Sequence, residues 1–232
     1  TVTGVQTCAL PIWLLWGALK NLLSGVTTVC HHNPYELDVF DDGFPIRVVK
    51  EFGWAHSLAF DDNIPASFRT TPAGQPFILH LGEGTDQSSR HEIFYLDRMG
   101  CLDERTVLVH GVAIDSKGRT LIRKRGASMI WCPSSNLHTL GKTLESPALR
   151  LPVALGTDSA ITAEGDLLDE LRAAKQASGL SDERLYQMVT TKAAAILRLR
   201  DRRGEIAEGA PADLTAIRDR GGMPAEALPM VV

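Results

Sequence analysis

The sequence predicts an α/β fold of the (β/α)8 barrel type, and three observations predict it. Four short apolar runs each end in a polar group suited to chemistry: Phe77-Ile78-Leu79 into His80, Val107-Leu108-Val109 into His110, Met129-Ile130-Trp131 into Cys132, and Val153-Ala154-Leu155 into Gly156-Thr157-Asp158. Buried parallel strands read as continuous apolar runs of this kind. Secondly, the steps from His80 to His110 to Cys132 to Asp158 are 30, 22 and 26 residues, about the length of one strand-helix unit. Thirdly, the stretches between the runs carry helical patterns closed by glycine. In such a barrel, residues at the carboxyl ends of the strands face one shared pocket.

The elements follow in order. Residues 13–24 place Leu15, Leu19, Leu22 and Leu23 at helical spacing, with Gly25 as the stop. Val26 to Cys30 reads as a β-branched strand ending at His31-His32, and Ile46 to Val49 as another. From Trp54 to Gln75 the chain is Pro-rich and polar, which predicts a short strand near Trp54 and then a loop. After the strand at 77–81 comes a helix through Ile93, Leu96 and Met99, stopped at Gly100. After 106–110 comes a short helix over 117–125, stopped at Gly126. After 127–131 a loop of Ser, Asn and Thr leads to the strand at 152–156. Asp166 to Ala177 is amphipathic, with Leu167, Leu168, Leu171 and Ala174 on one face, and Ser181 caps the next helix. Gly204 to Ile217 reads as turn, strand, turn, strand, and the tail from Arg218 is rich in Gly, Pro and Ala.

Composition narrows the function. The 232 residues are 44% hydrophobic and 22% charged, ordinary for a globular protein. A net charge of -4 gives no basic footprint for nucleic acid. No apolar stretch has the length of a membrane span. The four cysteines, Cys8, Cys30, Cys101 and Cys132, are too scattered for a disulfide framework, and a reducing cytoplasm is expected. Val2 to Ile12, VTGVQTCALPI, resembles a translated sequencing adapter. It is set aside as a non-native leader, which implies that native sequence begins upstream.

The chemistry sits at the strand ends. His80 is an imidazole donor suited to zinc or ferrous iron, and Glu83, between Gly82 and Gly84, can move a proton between water and a leaving nitrogen. Taken alone, this His-x-x-Glu also fits a surface pair. Asp158 can complete a metal shell or act as a base, and it equally fits a helix cap. His110 can ligate metal or hydrogen-bond charge developing on a substrate, or be a buried histidine held by backbone. His56 is a further pocket candidate for binding substrate. Asn136 reads as a loop residue bonding its own backbone, and Cys132 as structural. His91 and His138 read as surface residues.

In order along the chain, SGVTTV (24–29), FILHLGEG (77–84), VLVHGV (107–112), CPSSN (132–136), LGTDS (155–159) and GEIAEGAPADL (204–214) together resemble the amidohydrolase superfamily. The likeness is to the branch of cytosine, guanine and adenosylhomocysteine deaminases and triazine hydrolases. It implies a barrel over residues 13–202, a small β-sandwich whose C-terminal piece is 203–232, and one divalent metal, zinc first and iron second. It implies His80 and Asp158 as metal ligands, Glu83 as proton shuttle, His110 orienting substrate, and Asp158 also as base. The reaction it implies is hydrolysis of a non-peptide carbon–nitrogen bond, most often deamination of an amino-heterocycle. A cyclic-amide hydrolase of imidazolone or hydantoin type is the alternative activity. A third alternative is an inactive barrel that serves binding or oligomerisation. The partner expected is a small-molecule substrate, with a homo-oligomer allowed and neither nucleic acid nor membrane.

One departure stands out. The family's first barrel strand ends in His-x-His, and no His-x-His occurs among the seven histidines here. The fold expected is therefore an incomplete (β/α)8 TIM-like barrel with a remnant of a small C-terminal β-sandwich. Such a chain is expected to hold metal weakly and to turn over slowly or not at all. The fourth barrel strand has no clear segment, and no lysine is placed to bridge two metals.

Overall fold

The computed structural model describes residues 3–145 and 148–216, with side chains from Leu10 onward. The chain divides into two units, one of residues up to Lys50 with a stretch from Asp213, the other of residues from Glu51 to Ala212.

In the first unit, α1 (Thr3–Leu23) continues the predicted helix backward through the run that resembles an adapter. Gly25 follows it at φ 87, the left-handed conformation expected of a helix stop. The two predicted strands shrink to two residues each, β1 (Thr28–Val29) and β2 (Arg47–Val48), paired in parallel. Ala18, Phe40, Ile46 and Val48 form the unit's small core, and Phe40 meets Tyr35 and Phe44 edge-on at 5.1 and 5.0 Å. Arg47 reaches Asp213 at 3.4 Å, and Thr215 Oγ1 donates to the Gly25 carbonyl at 2.9 Å.

The second unit is an all-parallel five-stranded sheet in sequence order. Its strands are β3 (Gly53–Ser57), β4 (Phe77–Leu81), β5 (Thr106–His110), β6 (Ser128–Trp131) and β7 (Val153–Leu155). Between them run α2 (Ile64–Thr70), α3 (Gln87–Arg98), α4 (Ser116–Arg125) and α5 (Pro133–Leu140). After β7 come α6 (Leu167–Ser178), α7 (Asp182–Val189) and α8 (Thr191–Ile196). Asp86, Asp115, Asp166 and Ser181 cap α3, α4, α6 and α7 through their side chains, satisfying amide donors at each helix start. Phe77, Leu79, Leu108, Met129 and Trp131 are fully buried and centre the core. Parallel strands alternating with helices are the arrangement of an incomplete barrel.

Three expectations change. The loop predicted after Trp54 contains α2, which Asn63 caps and whose Ile64 and Phe68 are buried. The Ser/Asn/Thr loop after β6 is α5, opened by Pro133 in its first turn and closed by Gly141 at φ 63. β3 is the short strand expected near Trp54, and it pairs in parallel with β4. Residues 204–216 run through turns and extended chain with no strand. The strand expected to end at Ile217 and the tail from Arg218 lie outside the described residues. Among the described residues, no helix is long and apolar enough to cross a membrane.

Candidate metal centre

Because β3 to β7 all run the same way, their final residues share one edge of the sheet. Register brings Ser57 opposite His80 and Leu81 opposite His110. Glu83 and Asp158 follow within three residues of the ends of β4 and β7. The sequence candidates converge accordingly. One donor atom each from His80, His110 and Asp158 lie within 4.8 Å of one another. His110 Nε2 stands 3.5 Å from Glu83 Oε2 and 3.9 Å from Asp158 Oδ2.

Each side chain is held from behind. His80 Nδ1 lies 2.8 Å from the His56 carbonyl and donates to it, which makes Nε2 the lone-pair nitrogen. Burial, above all, lowers the His80 pKa. The His56 bond opposes this, and the neighbouring His110 and His56 add to the lowering. Asp158 also opposes the lowering, and the net direction favours the neutral imidazole, the form that ligates metal. The His80 ring stacks on His110 at 5.3 Å and tilts against His56 at 4.8 Å. His56 itself is exposed, at the open side of the cluster.

The Glu83 loop is thin, as the flanking glycines predict. Gly82 adopts φ 65, and its amide donates to Glu92 Oε2 at 2.6 Å. Burial raises the Glu92 pKa, partly offset by that bond. A Cβ on Gly84 would lie 2.1 Å from Ser89 Oγ, so only glycine lets the loop lie this close to α3.

His110 and Asp158 are non-glycine residues at positive φ, 73 and 55. Conformations like these cost of order 1–3 kcal/mol each and gather at functional sites. His110 is buried, at 1% side-chain exposure, whereas Asp158 is 19% and Glu83 38% exposed. The cluster thus has a closed back and an open front.

Sequence reasoning missed the back wall. Asn136 does not bond its own side chain to local backbone: it is fully buried on α5, and its Oδ1 lies 2.8 Å from His110 Nδ1. The adjacent Ser135 donates to Asp158 Oδ2 at 2.5 Å, with Thr162 3.4 Å from the same oxygen. Ser134 N donates to Glu170 Oε2 at 3.2 Å, and burial raises the pKa of that carboxyl. Three consecutive residues of one helix turn therefore tie Glu170, Asp158 and His110 together. The signal available was the Cys132-Pro133 helix start, which sets the following polar residues facing inward. Cys132 is buried, its thiol pushed well above the usual range by burial, as a structural cysteine should be. His91 and His138 are exposed and distant in role from the cluster.

Two imidazoles and a carboxylate at this separation match the donor set and number with which proteins hold catalytic zinc. The arrangement has the donors for a divalent cation, with the Glu83 carboxylate beside it.

A profile described as the amidohydrolase family matches residues 73–228. The 5-methylthioadenosine/S-adenosylhomocysteine deaminase of Haloarcula marismortui is 31% identical over 144 residues, 57% of this chain and 33% of that protein. The enzyme of the same name from Pyrococcus furiosus is 33% identical over 169 residues, 62% of this chain and 39% of that one. The chain spans little more than a third of the length of these relatives. An adenosine deaminase from Xanthomonas campestris, solved with bound zinc, superposes with TM-score 0.70 at 20% identity, over 87% of this chain and 61% of that chain. On the strength of the profile match and the parallel α/β sheet beneath it, this chain belongs to the amidohydrolase family.

Proposed function

We propose that the chain carries the site of a metal-dependent hydrolase of non-peptide carbon–nitrogen bonds, deaminating an amino-heterocycle. The observation that supports this reading best is the meeting of His80, Glu83, His110 and Asp158 at one sheet edge. His80 and Asp158 are the metal ligands in this reading, with His110 a third donor in reach. Zinc fits two imidazoles and a carboxylate, and iron is the alternative. A divalent ion there supplies Lewis-acid activation of water and of the ring carbon.

The chain's own residues do the rest. Asp158, already hydrogen-bonded by Ser135, accepts a proton from the attacking water. Glu83, on its exposed glycine-flanked loop, carries a proton to the leaving amino nitrogen, so that ammonia departs neutral. His110 presents Nε2 to the same space and accepts a hydrogen bond from the attacking water. His56, at the open side, contributes to substrate binding. The relatives named as adenosylhomocysteine deaminases favour an aminopurine nucleoside as substrate. Cytoplasmic residence belongs to the same proposal, supported by the free thiols of Cys30, Cys101 and Cys132.

Ammonia release from a panel of aminopurine nucleosides and aminopyrimidines, with added zinc or iron, tests the reading. The expected result is slow, metal-dependent release that Glu83→Gln reduces by about 10²-fold or more. Substrate loss without ammonia would point instead to ring opening of a cyclic amide. Release that survives Glu83→Gln unchanged would remove Glu83 from the chemistry.

A further inference from the structure

We infer that Asn136 is a positioning residue for His110, fixing its proton on Nδ1 so that Nε2 turns a lone pair toward Glu83 and Asp158. His110 is buried at 1% exposure, so its ring N–H must find a protein partner. On Nδ1 the proton has one, Asn136 Oδ1 at 2.8 Å. On Nε2 it would face carboxylate oxygens at 3.5 and 3.9 Å, too far for a strong hydrogen bond.

The Asn136 amide has a second neighbour in Thr143. An indole N–H can only donate, and Trp131 Nε1 donates to Thr143 Oγ1 at 2.6 Å. Thr143 Oγ1 accepts that bond and keeps a lone pair free for a further donor. Asn136 Nδ2, 3.5 Å from the same oxygen, is the half of the amide that faces it, which leaves Oδ1 for His110. Trp131 and Asn136 are both fully buried, which keeps water from substituting for either. The helix turn bearing Asn136 is anchored by the Ser134–Glu170 bond. Three elements, β6, α5 and the segment after it, thus serve to choose one imidazole tautomer on β5. A ligating or proton-accepting imidazole depends on which nitrogen its partner leaves unprotonated.

This inference rests on the proposed role of His110 but not on bound metal, and its test is run with a chelator present. The full chain is labelled with ¹⁵N-histidine, and two-bond ¹H–¹⁵N correlations are recorded at mildly alkaline pH. His110 is assigned by the signals lost in His110→Gln. The expected spectrum has a protonated-type shift at Nδ1 and a lone-pair-type shift at Nε2. Asn136→Asp keeps an acceptor and keeps that pattern, whereas Asn136→Leu loses the Nδ1 proton and moves it to Nε2. A wild-type spectrum with the proton on Nε2 overturns the inference, as does an unchanged Nδ1 proton in Asn136→Leu. If Asn136→Leu does not fold, the wild-type and Asn136→Asp spectra decide. A chain that binds metal with His110 protonated on Nε2 sinks this inference alone. The expected tautomer in a chain that binds no metal sinks only the metal reading.

Discussion

The sheet unit and the N-terminal unit are written in similarly apolar sequence, yet the first turns far more of it into core. β4 and β5 each lie between two parallel strands, and Phe77, Leu79 and Leu108 are completely buried. In the N-terminal unit the strands have two residues each, and α1 leaves Trp13 and Trp16 at 69% and 63% exposure. An apolar run stabilises only where a surface exists to bury it. The difference also explains where function can live. A rim that holds His110 and Asp158 at positive φ needs a rigid sheet below it, since such strain persists only when the surroundings enforce it.

The largest expected effect separates the two regions directly. Leu108→Ala should cost about 2–5 kcal/mol in denaturant unfolding, the range for a large-to-small change in a closed core. Trp16→Ala should fall within roughly 0.5 kcal/mol of wild type, as surface changes do. Equal losses would erase the contrast. Next in size is Gly84→Ala, whose added methyl meets Ser89 Oγ at 2.1 Å and should cost about 1–3 kcal/mol of stability by calorimetry. Its effect should concentrate in the Glu83 loop, seen as faster amide exchange there than at β5.

The smallest effect is one of pH. Burial raises the Glu170 pKa in the folded chain, so the folded state holds the proton more tightly than the unfolded one. Stability from this group is therefore highest below the ordinary carboxylate range and falls as pH rises through the window up to the raised value. Glu170→Gln keeps an oxygen for Ser134 N and should flatten that decline, leaving the variant relatively more stable near neutrality. A decline as steep in Glu170→Gln as in wild type would show that another group is responsible.

Much of this architecture was legible in the sequence, for identifiable reasons. β4, β5, β6 and β7 are continuous apolar runs, and α3, α4 and α6 end at or beside glycines that adopt positive φ. His80, Glu83, His110 and Asp158 could be proposed from sequence because each stands at or within three residues of the end of such a run. What escaped was polar and buried. α5 presents Ser135 and Asn136 to the interior, so hydrophobic periodicity has nothing to detect. The Asn136–His110 bond spans 26 residues of sequence, and no local pattern announces it. α2 is a single short stretch whose two buried residues, Ile64 and Phe68, sit behind an Asn63 cap that was read as loop polarity. The C-terminal strands failed for the opposite reason: Gly204 to Ala216 has turn chemistry in abundance, but Ile206 and Leu214 are exposed and pack into no sheet.

The central claim, that the sheet edge gathers a metal-ligating set, is tested most directly by titrating the chain with cobalt(II) and following the visible absorption of the bound ion. One saturable site per chain is predicted, lost in His80→Ala and in Asp158→Ala and retained in the surface control His91→Ala. Saturation that persists in both ligand variants, or that disappears with His91, would contradict it.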